Sequence, residues 1–491
     1  MSKLLHHLSF FLFLMPGLLL AQEGAPFFTE NFSPEEFAAR RAKLAESIGS
    51  QAVAILQGAP APAGYTRFRQ SNEFFYLTGV EVPHAYVLID GRTGDASLYL
   101  PHRNAGREIA EGKMLSAEDV AFIEGDLGFA GVYGPELLSE HLARLARGTP
   151  GPTIYTPFSP AEGASMSRDL ALRAIADAAA DPWDASASRE GQFIEMLGDR
   201  FPSLPVADLS PILDEMRLVK SDRELEMIRI ATRLSGLGLM EAMRSTEPGV
   251  KESQLDAVAK YVYYRDGAQG DAYFSLVASA TNAYYPHYHE GARTMKDGDM
   301  VLMDYAPDVG YYMSDLTRVW PVNGTFNDWQ RELYSFYLSC YRAVLTRIRP
   351  GVTPAAIGKE AVADMKVILT NASFSKPEYR QAAEEFVASY EAGMDRPGAR
   401  LGHWVGMSTH DVGNYSGPLM PGMVFTIEPA LRVPEERIYI RMEDLIIITE
   451  NGAEIVSDFV PMDIDAIERL MQDEGLLQRY PPEQLLLSLN R

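Results

Sequence analysis

Four carboxylates and one histidine in the last two-fifths of the chain sit inside or beside apolar runs, and nothing else in the 491 residues constrains the fold as much. Asp304 ends the run Val301, Leu302, Met303, and Asp315 follows in VGYYMSDLTR. His403 lies in GHWVG, Glu428 ends Val424, Phe425, Thr426, Ile427, and Glu443 lies in IYIRMEDLIII. The runs that carry Asp304 and Glu428 read as buried strands, where an unpaired charge is costly, so such groups must be protonated, ion-paired or metal-bound. Four carboxylates carry a formal charge of about −4, which two divalent cations cancel and one does not. The pattern therefore reads as a dinuclear metal centre. One nitrogen donor among oxygen donors makes a fairly hard site, which favours Mn(II), with Co(II) or Zn(II) feasible.

Asp304 and Asp315 are separated by YAPDVGYYMS, in which Pro307, Asp308 and Gly310 supply turn chemistry, so the two acids are expected on paired strands. The alternative, two exposed hairpin acids, is opposed by the apolar neighbours on both strands. Arg441 lies two residues before Glu443 and shares its strand face. From there a guanidinium can orient the ligand carboxylates or reach toward substrate.

The order of these segments resembles the pita-bread metallopeptidases, and within them aminopeptidase P and its relative prolidase. SDLTRVWPVNGTF, GHWVG, HDVG, PGMVFTIEPA, RMED and the helix opening RLVKSDRELEMIRIA match that pattern in register. FRQSNEFFYLTGVEVPHAYVLID is similar to the noncatalytic N-terminal domain of aminopeptidase P, so the resemblance covers nearly all of residues 30 to 460. It implies an α/β N-terminal domain followed by an α+β pita-bread catalytic domain with pseudo-twofold halves. It also implies metal ligation by Asp304, Asp315, His403, Glu428 and Glu443, with Glu443 bridging two ions. Glu428 then takes a proton from the water between them, and a metal-bridging hydroxide is the nucleophile. His410, which opens HDVG, and His287, seventeen residues before Asp304, match positions that contact substrate or the developing oxyanion. The implied activity is release of an N-terminal residue that precedes proline, from a peptide partner, by a homo-oligomer (dimer or tetramer).

Two departures qualify the resemblance. The family usually carries a second histidine four residues before the metal-binding one, and that position is Ala399 here, with Arg400 available beside it to compensate. The short NYSGPLM lacks the longer arginine-bearing insertion with which prolidases hold a dipeptide's carboxylate, which tilts the reading toward longer peptides. Xaa-Pro dipeptidase activity is the nearest alternative. A noncatalytic peptide-binding protein of the same fold is opposed by retention of all five ligand positions.

The chain is too long for one ordinary core, and its net charge of −23 repels phosphate backbones and anionic lipid, which argues against nucleic-acid or membrane-surface work. An apolar stretch from Leu8 to Leu20 after a short basic start is too short to span a bilayer comfortably and has the layout of a cleavable signal over residues 1–21, so an exported, periplasmic or secreted protein is expected. Residues 28–205 read as the α/β domain. A helix capped by Ser33, Pro34 and Glu36 opens it, strands AVAIL, FFYLTG, AYVLID and ASLYLP follow, and helices SAEDVAFIEG and SRDLALRAIADAAA alternate with them. The loop-like FPSLPVADLSP marks the boundary to a catalytic unit over 212–465, with a helical or loose tail over 466–491. Ser221 and Glu224 cap a helix over 222–244, and a second spans 252–265 before the strands of Asp304 and Asp315. Helices over 327–348, 354–370 and 377–393 precede the strands of Glu428 and Glu443. Cys340 has no partner in the chain and reads as a packed core thiol.

Overall fold

Alternation along AVAILQ sets the first layer of the molecule. The computed structural model describes residues 31–148, 151–163 and 166–482, so the expected signal over 1–21 lies outside the described residues, as do both ends of the expected domains at 28–30 and 483–491. Strands β1 (Ala52–Gln57), β2 (Tyr86–Asp90), β3 (Ala96–Tyr99), β4 (Gly131–Tyr133), β5 (Thr153–Thr156) and β6 (Val206–Asp208) form one mixed sheet in the order β4-β3-β2-β1-β5-β6. Side chains alternate across it. Ala52, Ala54 and Leu56 join Phe37 and Leu44 of the helix Pro34–Ile48 in the main core. Val53 and Ile55 pack on the other face with Leu142, Phe193 and Leu197, from the helices Leu138–Ala146 and Arg189–Arg200. Helices on both faces give the expected α/β unit.

Three local expectations are corrected. FFYLTG lies in a helix, Asn72–Thr78, whose seven residues are all buried, and Gly79 closes it in the left-handed region at φ 64°. A short apolar run buried on every side carries no period that separates helix from strand. FPSLPVADLSP is more than a loop, because its residues Val206–Asp208 pair in parallel with β5 and extend the N-terminal sheet past residue 205. Ser33 makes no side-chain capping bond; Glu36 instead pairs with Arg40 at 2.7 Å and accepts from Ser221 Oγ at 2.7 Å.

The helix Ser210–Leu218 leads into the catalytic unit, which opens on the helices Asp222–Arg244 and Glu252–Arg265. Both members of the Ser221/Glu224 capping box are formed. Six strands follow: β7 (Gly270–Asp271), β8 (Leu276–Ser279), β9 (Met300–Asp304), β10 (Pro307–Val309), β11 (Tyr312–Met313) and β12 (Thr317–Pro321). They make two sheets, β12-β9-β8 and β11-β10-β7. After the helices Asp328–Leu345, Pro354–Asn371 and Pro377–Met394 come β13 (Val424–Ile427), β14 (Ala430–Val433), β15 (Ile438–Arg441), β16 (Asp444–Thr449) and β17 (Gly452–Ile455). These form β13-β16-β17 and the pair β14-β15. The halves join where Glu443 N donates to Thr317 O at 3.0 Å and Thr317 N donates to Glu443 O at 3.4 Å. Helices packed on antiparallel sheets, in two halves that meet at their acid-bearing ends, are the pita-bread arrangement.

The described part of the tail carries the short helices Ile464–Leu470, which begins just before it, and Leu476–Arg479. Cys340 is buried, and burial pushes its thiol up to about 12, as for a packed core thiol. Among the described residues no helix is long and apolar enough to cross a membrane.

Candidate metal centre

Asp304 closes β9, a strand buried along its whole length, and is itself buried. Its neighbour across the sheet is Thr317 of β12, and Asp315 lies in the connection just before that strand. The turn residues Pro307 to Gly310 thus do not pair the two acids directly; they fold the separate hairpin β10-β11. Glu428 is one residue past β13, where Pro429 has no N–H to continue the ladder, and its side chain is 27 % exposed, so the expectation of a buried strand acid is corrected there. Glu443 lies in the bridge between β15 and β16, with Arg441 ending β15.

His403 is delivered by a tight approach of two backbones. A Cβ on Gly402 would stand 1.9 Å from the carbonyl oxygen of Thr426, so only glycine fits, and Thr426 N donates to His403 O at 2.9 Å. The imidazole Nδ1 donates to the Trp404 carbonyl at 3.2 Å, which turns Nε2 toward the acids. Nε2 lies 3.3 Å from Asp315, 3.5 Å from Glu428 and 3.8 Å from Glu443. Arg441 contacts Asp304 through one terminal nitrogen and Glu428 at 3.3 Å through the other.

The electrostatics are those of crowded buried acids. Burial and three neighbouring carboxylates push Glu443 well above the ordinary carboxylate range. Burial, with Asp315 adding to it, carries Asp304 up to about 7 despite Arg441. Burial alone would lower His403, but Asp315 and Glu428 raise it to about 9. Burial and His403 together take His410 down to about 4. A cation relieves all the acids at once. The donors fit one: Asp315, His403 and Glu443 each offer an atom within 4.8 Å of the others, and the buried Glu443 Oε1 has no hydrogen-bond partner among the described residues.

Two contributors escaped the sequence. Tyr273 directs its hydroxyl to Asp304 Oδ1 at 2.5 Å and Asp315 Oδ1 at 2.7 Å. Thr317 donates to Glu443 Oε2 at 2.8 Å and accepts from Arg441 at 3.2 Å. Thr317 belongs to the SDLTR segment and was within reach of the motif; Tyr273 has no spacing signal. His410 is brought in, its ring centroid 4.0 Å from that of His403. His287 is not: it is exposed on the loop after Tyr284, its carbonyl accepts from His289 Nδ1 at 3.0 Å, and it makes no hydrogen bond or ion pair with the clustered acids. That loop is fastened elsewhere, by Glu252 accepting from Ser279, Asn282, Tyr288 and Arg293. Ala399 is buried, and the exposed Arg400 places its guanidinium 5.2 Å from the Tyr415 ring centre.

A pita-bread body with acids, one histidine and an arginine converging between its halves defines a metal-dependent peptidase. Family models agree: residues 226–450 match Metallopeptidase family M24 and residues 37–155 match Aminopeptidase P, N-terminal domain. The chain is 30% identical over 464 residues to the Xaa-Pro aminopeptidase of Escherichia coli (strain K12), covering 89% of this chain and 98% of that one. It is 29% identical over 461 residues to the mitochondrial intermediate cleaving peptidase 55 of Arabidopsis thaliana, covering 89% of this chain and 83% of the relative. The solved structure of aminopeptidase P from E. coli with the inhibitor Pro-Leu superposes with a TM-score of 0.72 at 29% identity, over 90% of this chain and 98% of that chain. The chain belongs to metallopeptidase family M24, in its aminopeptidase P group.

Proposed function

We propose that the protein is a Xaa-Pro aminopeptidase, releasing the first residue of peptides with proline in second position with the help of two divalent cations. The observation that carries the reading is the cluster of Asp315, His403 and Glu443, with Glu428 beside His403 and Arg441 tying Asp304 to Glu428, in which the buried Glu443 Oε1 has no hydrogen-bond partner among the described residues. The names of the similar E. coli proteins support the proline specificity.

Asp315, His403, Glu428 and Glu443 would hold one cation, and Asp304, Asp315 and Glu443 the other, a hard donor set that suits Mn(II). Bound there, the cations would supply Lewis acidity toward the attacking water and the scissile carbonyl. Glu428, the most exposed of the four acids, would accept a proton from the attacking water and return it to the leaving proline nitrogen. His410, neutral at working pH and partly exposed, would donate to the carbonyl oxygen as its charge grows. Arg441 fixes Asp304 and Glu428 relative to each other.

The test is Glu428→Gln. Loss of the proton acceptor should lower turnover of Ala-Pro-Ala by at least ~10²-fold while metal stays bound. Near-normal turnover by a fully metallated Glu428→Gln protein would refute the assignment.

A further inference from the structure

The helix Arg168–Ala180 lies beyond both matched domains, one of which ends at residue 155 and the other of which begins at 226. Its first turn nevertheless forms part of the rim of the metal centre. Thr409 N donates to Met166 O at 2.9 Å and Arg168 N to His410 O at 3.4 Å, so this segment pairs in parallel with the loop that carries His410. Arg168 is buried and anchored to Glu73 at 2.6 Å and Glu162 at 3.1 Å, while Ser167 caps the helix by accepting from Leu170 N at 3.2 Å. Asp169 is left facing outward, 63 % exposed, with Oδ2 4.0 Å from His410 Nδ1. An acid in the first turn of a helix is usually accounted for by the helix dipole. Its place beside His410 gives this one a second task.

We propose that Asp169 is a specificity-determining residue that favours peptides with lysine or arginine directly after the proline. The inference rests on the peptidase reading given above. The ring centroids of His410 and His403 are 4.0 Å apart and Asp169 Oδ2 lies 4.0 Å from His410 Nδ1, so Asp169 meets a bound peptide beside His410 and not among the metal-binding side chains. An enzyme that removes one residue has only that residue on the N-terminal side of the scissile bond, so in a longer peptide most of the chain available to a group beside His410 is on the leaving side. Its carboxylate attracts a cationic side chain there and repels an acidic one. Arg400, also on this rim, stacks over Tyr415, whose hydroxyl accepts from Trp404 N at 3.2 Å. A free C-terminal carboxylate would be drawn to Arg400, so amidated peptides isolate the side-chain effect.

The test compares Ala-Pro-Lys-NH2, Ala-Pro-Ala-NH2, Ala-Pro-Glu-NH2 and Lys-Pro-Ala-NH2 on the full chain loaded with Mn(II), and in parallel the direct binding of the products Pro-Lys-NH2 and Pro-Glu-NH2. KM should rise in the order Lys, Ala, Glu at the third position, by about three- to five-fold per step at low salt as for an exposed ion pair, with kcat unchanged. Asp169→Asn should abolish the ranking, Asp169→Glu should keep it, and Asp169→Lys should invert it. A mere helix-capping role would shift the melting temperature and leave the ranking intact. The proposal is overturned if Asp169→Asn keeps the wild-type ranking, or if the preference follows lysine in first position. Absence of all turnover with Pro-Lys-NH2 still preferred would fail the peptidase reading alone. Turnover of Ala-Pro-Ala-NH2 with no charge preference in either readout would fail Asp169 alone.

Discussion

Tyr273 contributes a hydroxyl that touches both Asp304 and Asp315, two acids eleven positions apart in sequence. Burial and those two carboxylates push its phenol well above the ordinary value, so it remains a donor at any working pH. Outer partners of this kind fix the direction of ligand oxygens, and removing one typically costs 10–100-fold in metal affinity. Tyr273→Phe should therefore weaken metal binding by about that factor, measured by competition with a chelator, with the fold intact; unchanged affinity would remove Tyr273 from the centre. The ligands themselves were legible because charge inside an apolar run is an anomaly that needs a cause, as with Asp304 after Val301, Leu302 and Met303. Tyr273 and Asp169 were not legible. A tyrosine before a strand and an aspartate in a helix's first turn each have an ordinary explanation, and only the folded chain shows what lies opposite them.

At the scale of the element, the long helix Asp222–Arg244 begins at a joint between the two domains. Ser221 Oγ accepts from Glu224 N at 3.3 Å and donates to Glu36 on the opening helix, while Glu224 Oε2 accepts from Ser221 N at 2.8 Å. Glu224 also takes the hydroxyl of the buried Tyr312 at 2.6 Å and lies 3.6 Å from Arg40. Ser221→Ala should cost about 1 kcal/mol as a lost cap. Glu224→Ala should cost more, since it also strands the buried Tyr312 hydroxyl and leaves Glu36 as the one acid beside Arg40 among the described residues. Denaturant midpoints in the reverse order would show that the joint is not held this way. The sequence showed this helix through its cap at Ser221 and the acid three residues on. FFYLTG was misassigned because seven consecutive buried residues show no period, and the separate hairpin of β10 and β11 was missed because a turn signal does not say which strands the turn joins.

Across the whole molecule, the domains are bolted together by a buried charge network behind His410. Arg217 reaches Glu73 at 3.2 Å, Glu162 at 3.0 Å and Asp411 at 2.6 Å; Arg168 shares Glu73 and Glu162; and Lys220 meets Asp411 at 3.2 Å. Glu73 comes from the N-terminal helix Asn72–Thr78 and Asp411 follows His410, so the network sets one domain's position relative to the other's catalytic loop. Burial, and then the neighbouring Glu162, carry Glu73 up to about 7 although two arginines oppose them. A carboxyl group whose pKa is higher in the folded protein than in the unfolded chain holds a proton that the unfolded chain has already released. Its stabilising contribution is therefore complete below the ordinary carboxylate range and is lost as pH rises through about 7. Glu73→Gln keeps the shape and removes the titration. The difference in unfolding free energy between wild type and Glu73→Gln should accordingly fall steadily from pH 4.5 to about 7, with the wild type losing ground as pH rises, and should level off above that. A difference that is flat across this window, or that rises with pH, would mean that Glu73 enters the network already ionised and that Arg168 and Arg217 outweigh its burial.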